Sequence, residues 1–186
     1  MVRGWPYLIA LAAAAWAYGL WRALCTARAR RVRAAMLSVL RIPPADIDAM
    51  DDREFEEAVR DLLIRDGWSA RRVGRQGDQA ADVIGWHPRR GRIVVQAKHT
   101  RVGGKVGAPV MYQVKGTASS VHGADHAVVV TNGGVTRDAK AWGDCHRVYW
   151  IDRDRLRAWA EGGVPLHDLL RLPARPWRVP RRRAVA

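Results

Sequence analysis

The sequence has little cysteine and little lysine, and it has no internal repeat. Its two cysteines, Cys25 and Cys145, lie far apart, so there is no disulfide framework and no Cys-x-x-Cys metal pattern. That usage fits a reducing compartment. Cys145-His146 is a single adjacent pair and falls short of the four donors of a structural zinc site. Lysine occurs only at Lys98, Lys105, Lys115 and Lys140, although Lys and Arg together number 32. Where arginine is the default cation, a lysine hints at a need for a compact ammonium.

What the chain has is positive charge. The net charge is +14 over 186 residues, with 48% hydrophobic residues. The apolar content suffices for one domain with its own core and leaves room for one extra segment. The charge suits a polyanionic partner, either nucleic acid or an anionic lipid surface. An Ala- and Arg-rich composition is also what a GC-rich genome writes, so charge supports nucleic acid without establishing it.

The extra segment is N-terminal. Trp5 to Trp21 is uncharged and mostly apolar. As a helix, residues 5–25 would cover roughly 31 Å, enough for a hydrocarbon core. Trp5, Tyr7, Trp16, Tyr18 and Trp21 include residues near both ends, as interfacial belts prefer. Arg28, Arg30, Arg31 and Arg33 follow, against Arg3 alone before it, which puts the remainder of the chain in the cytoplasm. A signal peptide is the competing reading, but Ala23-Leu24-Cys25-Thr26 is a poor cleavage site. Arg28 to Arg41 reads as a basic amphipathic helix with Met36, Leu37 and Leu40 on one side, ended by Pro43-Pro44. The expected organisation is an anchor at 1–27, a basic helix and linker at 28–50, the main domain at 51–172, and a basic flexible tail at 173–186.

Within 51–172 the pattern is α/β. A helix is expected from about Asp52 to Arg65, with Phe55, Val59, Leu62 and Leu63 as its apolar stripe. Strands follow at 68–73, 81–87 and 92–98, the last two joined by the turn Pro88-Arg89-Arg90-Gly91. A Gly-rich loop at 101–107 leads to a helix at 108–119. The apolar run His126 to Thr131 reads as a central strand. Asn132-Gly133-Gly134 turns the chain into a helix at 136–142. A strand at 148–151 and two short helices near 152–161 and 165–170 complete the domain.

The residues that point to chemistry lie on the expected hairpin. Asp82 opens one strand. Gln96 and Lys98 stand two apart on the next, so their side chains share a face. One carboxylate, one amide oxygen and one ammonium would converge. Phosphodiester hydrolysis wants such a set: hard oxygen ligands for a divalent cation, and an ammonium to stabilise developing charge. Ala97, between them, would face the core. Glu56 is a further candidate, at the edge of the helix that buries Phe55.

Three stretches are similar to the Mrr-type restriction endonuclease domain of the PD-(D/E)xK superfamily. They are Phe55-Glu56 with Val59, Leu62-Leu63 and Gly67-Trp68; Gly77-Asp78 with Asp82; and Val95-Gln96-Ala97-Lys98. The resemblance spans roughly 51–170. It implies a restriction endonuclease-like mixed sheet flanked by helices, Mg²⁺ dependence (with Mn²⁺ as substitute) and DNA as substrate. It also implies metal roles for Asp82, Gln96 and Glu56 and a catalytic role for Lys98. No organic cofactor is called for. Two departures stand out. Ala80 occupies a place where the family usually has glycine, so a positive φ there would strain it. Gln96 stands where the wider superfamily has Glu, although Mrr relatives commonly use Gln.

Arg89, Arg90, Arg101, Lys105, Gln113 and Lys115 are candidate DNA-backbone contacts, and Asp78 a candidate loop-shaping or weak metal residue. Two further readings remain: a membrane-tethered DNA-binding module with weak or lost catalysis, and a membrane-surface protein that binds another protein. A nuclease with one site per chain would have to act as a homodimer or act twice to cut both strands.

Overall fold

The computed structural model describes residues 5–73 and 80–174. The expected loop containing Gly77, Asp78 and Gln79, and the tail from residue 175, lie outside the described residues.

The first element, α1 (Trp5–Leu37), is one helix of 33 residues. The change from apolar to basic near residue 28 is a change of composition along it, with no break. Ala and Arg, strong helix formers, dominate from Ala23 to Leu37, and that stretch holds no Gly or Pro. The helix is long and apolar enough to cross a membrane. Ile9, Leu11, Trp16, Leu20, Trp21 and Leu24 are exposed, unburied by the rest of the chain.

Pro43-Pro44, expected to close a helix, opens one. Pro43 is the N-cap and Pro44 the first residue of α2 (Pro44–Ala49), where a missing N–H costs nothing. Ile42 and Ile47 are buried in the domain core, and the Ile42 amide donates to the Ala160 carbonyl at 3.1 Å. The packed domain therefore reaches back to about residue 42, into the segment expected to be a linker.

Next is α3 (Asp52–Arg65), started by a capping box in which Asp51 and Glu54 bond each other's backbone amides. Its buried stripe is Phe55, Val59, Leu62 and Leu63, each contributing about 1.5–3 kcal/mol if fully withdrawn from water. Then come β1 (Ser69–Arg72), β2 (Val83–His87), β3 (Gly91–Lys98), β4 (Lys105–Val106) and α4 (Ala108–Ala118). The rest is β5 (His126–Thr131), β6 (Gly134–Val135), α5 (Arg137–His146), β7 (Val148–Ile151), α6 (Arg153–Ala160) and α7 (Leu166–Leu169).

The main sheet has the order β1-β2-β3-β5-β7. Its first three strands are antiparallel, and β3, β5 and β7 run parallel. Every residue of β5 is buried, as its unbroken apolar run requires. One face of the sheet (Val83, Val95, Ala97, Val128, Val130) packs on Ile47 of α2, α3, α6 and α7. The other face carries Ala127 and Val129 against Met111 and Val114 of α4 and Ala139 of α5. Beyond the ends of β3 and β5, β4 and β6 form a small parallel pair. Gly133 makes that pair possible: a Cβ there would lie 2.4 Å from the Gly104 carbonyl oxygen.

Candidate active site

The β2–β3 register sets Val83 opposite Val95, so the next step brings Asp82 opposite Gln96. The chain reaches Asp82 irregularly. Ala80 sits at φ 61°, the left-handed conformation that its replacement of glycine put at issue, and the Asp82 amide donates to the Val95 carbonyl at 3.0 Å. The half-buried Asp82 carboxylate then accepts from the Ala97 amide at 2.7 Å and from the side-chain amide of Gln96. Gln96 is itself only 6% exposed. Ala97 faces the opposite side, into the core.

Lys98 closes β3 on the same face as Gln96, paired in register with Thr131 of β5. It is thus the diagonal neighbour of Asp82, a relation that separates side-chain roots by about 7–8 Å. Among the described residues its ammonium has no ion-pair partner within 4.0 Å. The site therefore brings a carboxylate and an amide into contact and sets a half-buried lysine beside them.

Glu56 is differently engaged. Its carboxylate accepts from Arg72 Nη1 at 2.9 Å, and Glu57 lies 3.9 Å from Arg72 Nε. The Arg72 guanidinium is held above its ordinary pKa, first by the hydrogen bond to Glu56, with the charges of Glu56, Glu57 and Asp82 adding to it. Arg72 thus links the helix carboxylates to the field of Asp82. Sequence reading passed it over, because nothing in Arg71-Arg72 says which of the two faces α3.

The described residues hold no cluster of three or more His, Cys, Asp and Glu side chains fit for a metal. A divalent cation here would rest on the Asp82 carboxylate and the Gln96 amide oxygen, a hard-oxygen pair that fits Mg²⁺ in type. With one formal charge between them it fits weakly, unless Glu56 leaves Arg72.

The candidate DNA contacts separate into two groups. Arg101 and Lys105 are exposed on the segment that follows β3, at the Lys98 end, and Gln113 and Lys115 are exposed on α4. Arg89 and Arg90 lie at the other end of β3. The seven steps from Gly91 to Lys98 span about 23 Å. Arg90 is also spent structurally, bonding the Leu172 carbonyl through its guanidinium while its own carbonyl pairs with His126 at 2.9 Å. The pair therefore does not border the catalytic candidates, and any phosphate it meets would lie away from them.

Beyond Lys98 lies a polar knot that sequence reading missed. Asn132, 1% exposed, accepts from the Thr100 amide at 2.7 Å and donates to Asp48 at 3.2 Å. Asp48 receives both terminal nitrogens of Arg153, at 2.8 and 2.6 Å. Arg153 keeps the Asp48 carboxyl below its ordinary pKa, with Asn132 assisting and burial opposing. His99 turns into this knot: its Nε2 lies 2.9 Å from the Ile47 carbonyl and its ring packs against Phe55. These residues brace the end of β3 that carries Lys98. The Asn132-Gly133-Gly134 segment is accordingly a braced turn.

A family model for the restriction endonuclease domain of the Mrr catalytic type matches residues 47–160. Among solved structures, a protein of unknown function designated AF1548 aligns at TM-score 0.52 and 18% identity, over 63% of this chain and 66% of that one. The MspJI restriction endonuclease, solved with a 27-mer oligonucleotide, aligns at TM-score 0.43 and 21% identity, over 63% of this chain and 31% of its own. No curated protein matches by sequence. The first of these likenesses supports the fold alone.

Proposed function

The chain belongs to the Mrr-type restriction endonuclease family, and from that premise we propose that it is a Mg²⁺-dependent endonuclease, tethered to a membrane by α1, that hydrolyses DNA phosphodiester bonds in restriction of foreign or modified DNA. The observation that carries the reading is the cross-strand contact of Asp82 with Gln96, with Lys98 as diagonal neighbour on the same face. Asp82 and Gln96 would hold the cation, with Glu56 joining if it leaves Arg72. When bound, the cation supplies a water of lowered pKa and neutralises charge on the phosphoryl oxygens.

The chain's own residues do the rest. Lys98 offers an ammonium to the attacking oxygen or the transition-state charge. The amide of Ala97 holds one Asp82 oxygen, and with it the direction of the carboxylate. Arg101 and Lys105 would contact phosphates next to the site, giving salt-sensitive binding without base readout. α1 would be a single span, with Arg28, Arg31 and Arg33 on the cytoplasmic side. Cutting both strands would require two copies or two visits.

Plasmid cleavage in Mg²⁺ or Mn²⁺ tests this reading. The wild type should nick or linearise the plasmid. Asp82→Ala and Lys98→Ala should each lose on the order of 10²-fold or more in rate while retaining DNA binding. Cleavage by both variants at the wild-type rate would refute the assignment.

A second reading has its own support. Glu56 is held by Arg72, and Ala80 is strained. A tethered DNA-binding module with weak or lost catalysis predicts DNA affinity but little or no metal-dependent cleavage by the wild type.

A further inference from the structure

Where α1 meets the edge of the sheet, a cleft of about 810 Å³ opens. Arg31 and Arg33 line it from α1, Arg71 from β1, Arg92 from β3, Trp68 from just before β1 and Trp86 from β2. No acidic residue is among its described lining residues. Among the described residues two carboxylates touch lining residues: Asp61 of α3 pairs with Arg33 at 2.9 Å and so fixes the basic turn of α1 against the domain, and Asp125 accepts from the Arg92 backbone amide at 2.8 Å. Two donors among the described lining residues lack partners, the indole N–H of the buried Trp68 and Nε of Arg92. Trp86 is 54% exposed.

We propose that this cleft binds the phosphate of an anionic phospholipid headgroup. Four guanidiniums, of which only that of Arg33 has an ion-pair partner among the described residues, call for an anion rich in acceptor oxygens. Position favours a lipid. Arg31 and Arg33 follow Cys25 on one continuous helix by six and eight residues, roughly 9–12 Å along its axis, a depth that belongs to the headgroup layer if the apolar run fills the hydrocarbon. An exposed Trp beside arginines is also what a membrane–water interface prefers. The cleft lies at the hairpin end of β3, with Arg92 six residues, about 20 Å, from Lys98. Headgroup binding there would hold one end of the sheet against the bilayer and leave the candidate active site clear of it.

This inference rests on reading α1 as a membrane span, and its test separates the two. The full-length chain is placed in nanodiscs of phosphatidylcholine, with and without phosphatidylglycerol, and the indole N–H resonances of Trp68 and Trp86 are followed by NMR. Protease protection of the N-terminus reports insertion. Short-chain phosphatidylglycerol, added to the full chain in neutral detergent, reports the cleft independently of insertion. The expected result is that both resonances move with phosphatidylglycerol and not with phosphatidylcholine alone. Arg71→Ala/Arg92→Ala should need about tenfold more anionic lipid, with the other indole signals unchanged. Insertion with no lipid-dependent shift, or an unaltered response in the double variant, overturns the cleft and spares the span. A shift with no insertion overturns the span and spares the cleft. If a short single-stranded oligonucleotide moves the same resonances and displaces the lipid, the cleft is a nucleic-acid groove and the proposal fails.

Discussion

Asp66 and Asp82 are both carboxylates at the edges of regular elements, yet the chain uses them in opposite ways. The Asp66 side chain is 2% exposed and takes hydrogen bonds from Arg65 Nε at 2.8 Å and from the Trp159 indole and the Leu166 amide, each at 2.7 Å. It joins the end of α3 to α6 and α7. Asp82 is half-buried and bonds two groups on the neighbouring strand, one of them a side-chain amide with an oxygen of its own to offer. Saturated burial marks a carboxylate that holds the architecture. Partial exposure beside an amide oxygen and a lysine marks one suited to chemistry.

That contrast can be broken first at Asp66. Asp66→Ala strands three donors in the core and should cost about 3 kcal/mol or more of stability, read as a large drop in unfolding midpoint. Asp82→Ala strands two donors at a half-open site and should lower that midpoint by clearly less. Equal destabilisation by the two would make Asp82 a structural residue as well.

The loop before Asp82 sharpens the comparison. Ala80 holds φ 61°, where a Cβ costs about 1–2 kcal/mol and glycine pays more chain entropy. Ala80→Gly should therefore stabilise the domain by about 0.5–1 kcal/mol net, measured by denaturant unfolding, with Asp82 still opposite Gln96.

The smallest effect is in pH. His87 and His167 titrate below their ordinary 6.5, both mainly because burial disfavours the charged ring. The unfolded chain therefore takes up protons first, so stability is full above that value and declines as pH falls through it toward the folded values. The melting temperature should drop between about pH 7.5 and about pH 5.5, equally in the wild type and in Asp82→Asn. A flat profile would mean these histidines are no more buried than in the unfolded chain.

The same contrast explains what could be read in advance. The helix over 52–65 with its four buried positions, the strands at 126–131 and 148–151, and the hairpin were legible because each is written in local periodicity. Asp82, Gln96 and Lys98 were legible because a hairpin fixes register over only 14–16 residues. Asp66 with Trp159, and Asp48 with Arg153, are pairs 93 and 105 residues apart, and no local pattern announces them. The continuity of α1 and the packing of Ile42 and Ile47 were hidden for a related reason. Two prolines read as a stop, whereas tertiary contacts with Ala160 and α3 make the second one a start.

The most direct measurement compares Mn²⁺ binding and plasmid cleavage in Asp82→Asn and Lys98→Ala, both confirmed folded. Asp82→Asn should lose cation affinity and cleavage together, whereas Lys98→Ala should keep the cation and lose the cut. An Asp82→Asn protein that binds Mn²⁺ and cleaves like the wild type would contradict the account.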